Sequence, residues 1–127
     1  MESHGRTTLR ALLSIKVQRE RSLRSLLATY TQQESELLDR KSTLLEQRHQ
    51  HWENWRQQSA IEQQLNHTQL QLLKRTLASY SEKDLHFAEK LDELQAEWQQ
   101  LQVNKSEQQS LLCKNLLEQE KLRLILE

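Results

Sequence analysis

Apolar side chains recur along the chain at intervals of three and four residues, the spacing of one face of an α-helix. In the first half a seven-residue ladder comprises Leu9, Lys16, Leu23, Tyr30, Leu37, Leu44 and His51. Leucines beside the ladder widen this stripe, namely Leu12, Leu13, Leu26, Leu27, Leu38 and Leu45. A hydroxyl at Thr7 or Thr8 is suited to cap the start of a helix. The pattern predicts one long first helix.

A more regular seam runs through the second half of the chain. Its positions are Leu73, Leu77, Tyr80, Asp84, Phe87, Leu91, Leu94, Trp98 and Leu101, of which only Asp84 is not apolar. A seam of about four heptads is long enough to predict a coiled coil. Beyond Leu101 the pattern breaks at Lys105 and Gln108, and it resumes at Leu111 and Leu112.

The weakest apolar periodicity lies in residues 56–68, which places the turn between the helices there. Two patterns of the capping-box type, in which a hydroxyl and a later side chain bind first-turn N–H groups, occur at Ser59-x-x-Glu62 and Thr68-x-x-Gln71. Asn66-His67 is the most turn-like dipeptide in this stretch. The predicted bounds are helix 1 over about 7–57, a turn at about 58–68 and helix 2 over about 69–124.

These patterns predict an all-α fold, a long two-helix antiparallel coiled-coil hairpin that forms a single domain over residues 1–127. With one glycine, no proline and 35% hydrophobic residues, the chain has few sites for tight turns and little material for a globular core. Because no glycine or proline lies near residue 60, one continuous helix that forms a homodimer is the alternative. The nearly equal lengths of the two arms favour the monomeric hairpin.

Several kinds of chemistry are disfavoured by the residues present. His49 and His51 lie two apart and point in different directions on a helix, and Cys113 has no neighbouring ligand, so no metal site is predicted. The absence of a glycine-rich loop excludes the common nucleotide-binding motifs. Acid pairs such as Asp92-Glu93 fall on the solvent side of the seam, where no pocket is expected. We therefore expect no catalytic, cofactor or metal residues and no enzymatic activity.

Composition also indicates where the protein acts. The formal net charge is zero, which disfavours nucleic acid as a partner. A single cysteine, Cys113, forms no internal disulfide and fits a reducing compartment. No secretory signal and no window of about 18 apolar residues is visible, so we expect a cytoplasmic protein without direct membrane insertion.

Two groups of side chains are candidates for protein binding. Arg6, Arg10, Arg21 and Arg24 fall within about 60° of one another on a helix and form a basic ridge suited to an acidic protein surface. Trp52 and Trp55 lie three apart near the turn, and either pack on the second helix or serve as partner anchors. The apolar residues of the last turns lie on more than one face, so one helix cannot cover them all.

The opening pattern Leu9-x-x-Leu12-Leu13-x-x-Lys16-x-x-Arg19-Glu20-Arg21 is similar to the start of the FliJ/YscO proteins, the small stalk proteins of flagellar and virulence type III secretion systems. Chain length, the Gln/Glu/Arg/Leu-rich composition, the near absence of Gly and Pro, and the tryptophans near mid-chain also resemble that family. One difference is that several members of that family are longer and end in a charged tail, whereas this sequence ends at Glu127 after an apolar run.

The resemblance implies a non-enzymatic stalk or adaptor at the cytoplasmic side of an inner-membrane export apparatus. Its implied partners are the export ATPase ring, the export-gate membrane protein and substrate chaperones. It assigns the ATPase contact to Arg6, Arg10, Arg21 and Arg24, and the gate or chaperone contact to Trp52, Trp55, Leu73 and Tyr80. The alternatives are a secretion chaperone or escort that binds a partner helix, and a structural homodimeric coiled-coil tether.

Overall fold

In the computed structural model, which describes residues 2–60 and 66–127, the chain forms two long helices. Helix α1 spans Glu2–Ser59 and helix α2 spans His67–Leu126. The helices pack against each other, and the described residues contain no strand. The predicted all-α helical hairpin is therefore confirmed.

The helix pair consists of two compact units, which we call the terminal half (residues 1–34 and 99–127) and the inner half (residues 35–98). In the terminal half, Lys16 pairs with Glu118 and Glu34 pairs with Lys105. In the inner half, Arg40 pairs with Glu97 and Arg48 with Asp84. In each half, later residues of α1 meet earlier residues of α2, so the helices run antiparallel.

The predicted seam of α1 is confirmed by the pattern of burial. All seven ladder positions are buried or half-buried, and Leu23, Leu37 and His51 are the most enclosed of them. These three residues lie fourteen apart, or two heptads, so the same face of α1 meets α2 throughout. Not every flanking leucine belongs to this face, because Leu12, Leu26, Leu38 and Leu45 are exposed. A two-helix seam encloses only a narrow strip, and these four side chains lie beside it.

The seam of α2 is longer than the sequence pattern predicts. Every position from Leu73 to Leu101 in the predicted seam is buried or half-buried, which confirms that segment. The apolar pattern is interrupted at Lys105 and Gln108, but both side chains are half-buried and the seam continues through them. The later positions, four and three residues apart, are Leu112, Asn115, Gln119, Leu122 and Leu126. Polar side chains thus fill seam positions without ending the pairing of the helices.

Both helices begin at positions other than those predicted. Helix α1 extends back to Glu2, and the Thr8 hydroxyl donates a hydrogen bond to the His4 carbonyl 3.1 Å away within the helix. Helix α2 is capped reciprocally: the Gln69 N–H donates to Asn66 Oδ1 at 2.9 Å, and the Asn66 N–H donates to Gln69 Oε1 at 3.2 Å. The capping box is therefore Asn66-x-x-Gln69 rather than Thr68-x-x-Gln71. The other predicted box, Ser59-x-x-Glu62, ends at a residue outside the described ranges.

Candidate functional site: charged and aromatic clusters along the helix pair

The basic ridge lies on α1 in the terminal half. Arg6, Arg10 and Arg21 are exposed, and none of them forms an ion pair with a described side chain. Arg24 differs, because its Nε donates to Glu20 Oε2 at 2.7 Å. The terminal half as a whole contains ten Lys and Arg against seven Asp and Glu, a formal charge of +3. The ridge therefore offers three cations to a partner, and its fourth member is already paired.

A polar layer crosses the seam beside the ridge, and its central residue is Gln119, which is fully buried. Gln119 Nε2 donates to Asn115 Oδ1 at 2.6 Å and to Glu20 Oε1 at 3.0 Å, and it lies 3.4 Å from the Lys16 carbonyl oxygen. Gln119 Oε1 accepts a hydrogen bond from Arg123 at 3.1 Å. Every hydrogen-bonding group of this amide is thus used, which is what burial of a polar side chain requires.

The same layer leaves one buried donor without an acceptor. Asn115 is 5% exposed, and no described residue accepts a hydrogen bond from its Nδ2. The amide orientation is fixed, because a flip would set Asn115 Nδ2 against the donating Nε2 of Gln119. Sequence analysis missed both residues. Counting on from Leu101 at intervals of four and three would have placed them in the seam.

Ion pairs join the helices at two further places in the terminal half. Glu118 accepts from Lys16, and Glu34 accepts from Lys105 and, at 2.9 Å, from Gln102 Nε2. These bonds lower the pKa of each carboxyl below its ordinary value, with Lys16 as the main cause at Glu118 and Lys105 at Glu34. Arg24, followed by Gln119, lowers the pKa of Glu20 in the same way.

The inner half contains an aromatic cluster around a buried histidine. His51 is 8% exposed, and its ring centroid lies 5.0 Å from that of Tyr80 and 5.7 Å from that of Phe87. His51 Nε2 lies 2.7 Å from the Tyr80 carbonyl oxygen, and because that oxygen can only accept, Nε2 carries the hydrogen. Trp55 stacks on Tyr80 with ring centroids 6.4 Å apart and ring planes inclined by 11°.

A charged cluster lies next to the aromatic one. Arg48 donates to both carboxylate oxygens of Asp84, at 2.8 and 3.3 Å, and Trp52 Nε1 donates to Asp84 Oδ1 at 2.6 Å. The Arg48 guanidinium also lies 4.6 Å from the centroid of a Trp52 ring, a cation–π distance. The hydrogen bonds from Arg48, the larger cause, and from Trp52 lower the pKa of Asp84 below its ordinary value, although burial alone would raise it.

The four aromatic and leucine candidates differ in what they can offer a partner. Leu73 is 7% exposed in the seam of α2, so its assignment as a contact residue is corrected to a core residue. Trp55 and Tyr80 are half-buried and stack on each other, so each ring also has a contact within the helix pair. Trp52 is 43% exposed while its indole N–H is held by Asp84. Trp52 is thus the member of this set with both a fixed orientation and a free face.

The lowered carboxyl pKa values predict that acid weakens the helix pair. Because the pKa of Asp84 and of Glu34 is lower in the folded chain, their contribution is complete above the ordinary values of 3.8 and 4.5 and is lost as pH falls through the lower folded values. We expect the melting temperature, followed by circular dichroism, to stay nearly constant from about pH 7 to about pH 5 and to fall as the pH is lowered further. An Asp84→Asn/Glu34→Gln variant should lose less over the same range, and an equal loss would show that other carboxyls cause the effect.

Neither helix provides a metal or membrane-spanning element within the described ranges. No group of three or more His, Cys, Asp or Glu side chains there is arranged to hold a metal ion. Cys113 is exposed and unpaired. No helix in the described part of the chain combines the length and apolar character needed to cross a membrane. Comparisons of the chain with protein-family models, curated proteins and solved structures found no match.

Proposed function

We propose that this hairpin is a non-enzymatic stalk of a type III secretion export apparatus, and that its terminal half binds the export ATPase ring from the cytoplasm. The observation that carries the proposal is the row of exposed cations Arg6, Arg10 and Arg21, none of which pairs with a described side chain. Such a row steers a chain toward an acidic protein surface. The similarity of residues 9–21 to the start of the FliJ/YscO proteins gives that surface its expected identity.

The electrostatics of the helix pair support a binding role over a catalytic one. The carboxyls with shifted pKa values are Glu20, Glu34, Asp84 and Glu118, and each is shifted toward its charged form by a basic partner. General acid–base catalysis needs the opposite, a pKa moved toward neutrality in a site that holds a substrate. The ion pairs of Glu34, Asp84 and Glu118 instead join the two helices and hold them in one register.

A stalk also needs a second contact away from the ring, and we assign it to the inner half. Trp52 is the residue that we propose for contact with the export gate or a substrate chaperone. Its hydrogen bond to Asp84 and the Arg48 guanidinium beside its ring fix the indole in one orientation. A large aromatic side chain that is already ordered loses little entropy on binding, which suits it to an interface.

The test of the ring contact is charge reversal on the ridge. The triple variant Arg6→Glu/Arg10→Glu/Arg21→Glu should bind the export ATPase of the same organism at least about tenfold more weakly, because three steering charges become repulsive. Biolayer interferometry at low salt measures this change, and circular dichroism confirms that helicity is unchanged.

The matched control reverses three exposed cations of the inner half, Lys74, Arg75 and Lys83, which changes the net charge by the same amount. This control variant should retain the affinity of the unmodified chain. If both triple variants lose affinity equally, net charge rather than the ridge governs binding. Full binding by the ridge variant would remove these arginines from the contact.

A further inference from the structure

An apolar groove runs along one side of the terminal half and has no role in the proposed stalk contacts. Leu12, Ile15 and Leu111 line it and are 41%, 59% and 42% exposed. The groove encloses about 300 Å³ between α1 and α2. Three large apolar side chains gathered in one concave patch differ from single exposed leucines, which need no explanation.

The groove lies directly beside the seam, where a two-stranded coiled coil normally carries charged side chains. Leu12 and Arg19 are one heptad apart on α1, and Leu111 and Glu118 are one heptad apart on α2, so each pair forms a row that flanks the seam. Apolar residues at flanking as well as seam positions are typical of helices that pack on more than one neighbour. This arrangement fits a third helix laid along the groove.

The charges around the groove indicate which kind of helix it accepts. Arg19 and Lys114 border it, and neither forms an ion pair with a side chain in the described ranges. Lys16 and Glu118, which also border it, are paired with each other. The unpaired charge at the rim is therefore positive. A second copy of this chain placed symmetrically on the groove would set Arg19 and Lys114 against like charges, which disfavours that occupant.

Asn115 is a second unusual feature of the residues around the groove. It lines the groove while 5% exposed, and its Nδ2 lacks an acceptor among the described residues. A buried N–H without an acceptor is destabilising, so natural chains seldom retain one without a reason.

We propose that this groove, built from Leu12, Ile15, Leu111 and the rim cations Arg19 and Lys114, is the docking site for an acidic amphipathic helix of a partner protein. Leucines of that helix cover the three apolar side chains, and its flanking glutamates meet the two cations. The site is separate from the basic ridge. Arg10 precedes Leu12 by two residues and therefore points about 200° away from it around α1.

A pair of designed peptides tests the proposal with the full chain. Both are about 21 residues long, with leucine at the a and d positions of three heptads. One has glutamate at the flanking positions and the other has lysine. Fluorescence anisotropy should show that the glutamate peptide binds at least about tenfold more tightly than the lysine peptide at low salt. An Ile15→Asp/Leu111→Asp variant should lose at least about tenfold in affinity for the glutamate peptide, because both contacts become repulsive or polar.

Two further variants make the result specific. Leu124→Asp changes an exposed leucine of the same half that does not line the groove, and it should leave affinity unchanged. Arg19→Glu/Lys114→Glu should reverse the preference, so that the lysine peptide binds better. The proposal is overturned if neither peptide binds or if both bind equally. It is also overturned if the charge reversal leaves the preference for the glutamate peptide intact. The proposal is also overturned if the unmodified chain is a dimer and the Ile15→Asp variant is a monomer, because the groove would then hold a second copy of the chain. Loss of ring binding on mutation of the ridge leaves this result unaffected, so the two proposals fail separately.

Discussion

Leu37→Asp is expected to lower the free energy of unfolding of the chain strongly, whereas Leu38→Asp should leave it nearly unchanged. Leu37 is 6% exposed in the seam, and Leu38, its neighbour on the same helix, is 54% exposed. A two-helix seam has few buried side chains, so a carboxylate at one of them loses apolar burial and lacks any compensating partner. We expect a loss of at least about 4 kcal/mol in the free energy of unfolding at position 37.

The pair of variants separates seam position from charge. Both add one carboxylate to α1 at adjacent residues, so helix propensity and net charge change equally. At position 38 the expected loss is below about 0.5 kcal/mol, the usual range for a surface substitution. Urea titration followed by circular dichroism at 222 nm measures both. Similar losses at the two positions would mean that α1 does not present the face described here to α2.

Asn115→Leu is expected to stabilise the chain, although it removes a buried polar residue. The substitution eliminates the Nδ2 donor that lacks an acceptor. It also removes the Asn115 Oδ1 acceptor of Gln119 Nε2, but the two hydrogens of that amide retain Glu20 Oε1 at 3.0 Å and the Lys16 carbonyl oxygen at 3.4 Å as acceptors. Removing an unsatisfied buried donor and adding apolar contact should raise the free energy of unfolding by about 1–2 kcal/mol. Chemical denaturation of the two proteins in parallel gives the difference.

Asn104→Leu is the matched control for this gain. Asn104 lies in the same helix and the same half, and its Oδ1 already accepts a hydrogen bond from Gln100 at 3.0 Å. Both substitutions bring the same improvement in helix propensity, a few tenths of a kcal/mol. Only the change at position 115 relieves a buried donor. A gain at position 115 no larger than that at position 104 would mean that Nδ2 finds an acceptor, such as water, in solution.

The sequence predicts the helix pair well where apolar residues alone mark the seam. From Leu73 to Leu101 the intervals of four and three are nearly uninterrupted, and the structure buries that face. From Lys105 onward the apolar pattern no longer marks the seam, because the seam there consists largely of polar side chains. Their partners, Glu34 for Lys105 and Glu20 for Gln119, are about 70 and 99 residues away in the chain. A local pattern carries no information about such long-range pairing.

The start of α2 shows a different limit of sequence analysis. Ser59, Asn66 and Thr68 all have a side chain able to cap a helix, and their motifs overlap within ten residues. Which of them caps depends on where the chain leaves the turn. Once the helix begins at His67, Asn66 stands at the cap position and Thr68 lies inside the first turn. Side-chain propensities alone leave that choice open.

The candidate contact residues were less predictable than the fold. The spacing of Trp52 and Trp55 indicates an aromatic surface. It does not reveal that Asp84 and Arg48 hold Trp52 in place. Leu73 is the first position of the seam that the sequence predicts, and its burial agrees with that pattern rather than with its assignment as a contact residue. The groove at Leu12, Ile15 and Leu111 joins residues nearly a hundred positions apart, which no linear motif could indicate.

The central claim is that α1 and α2 of one chain pair with each other, and the distance between residues 40 and 97 tests it most directly. Arg40 and Glu97 are exposed and form an ion pair at 3.8 Å across the two helices. Spin labels at cysteines introduced there, in a Cys113→Ser chain, should give a distance of about 20 Å or less by double electron–electron resonance, since packed helix axes lie about 10 Å apart. The distance and the modulation depth should survive tenfold dilution with unlabelled chain. A single straight helix would instead separate the two labels by about 85 Å, and a short distance that vanishes on dilution would show that the pairing joins two chains.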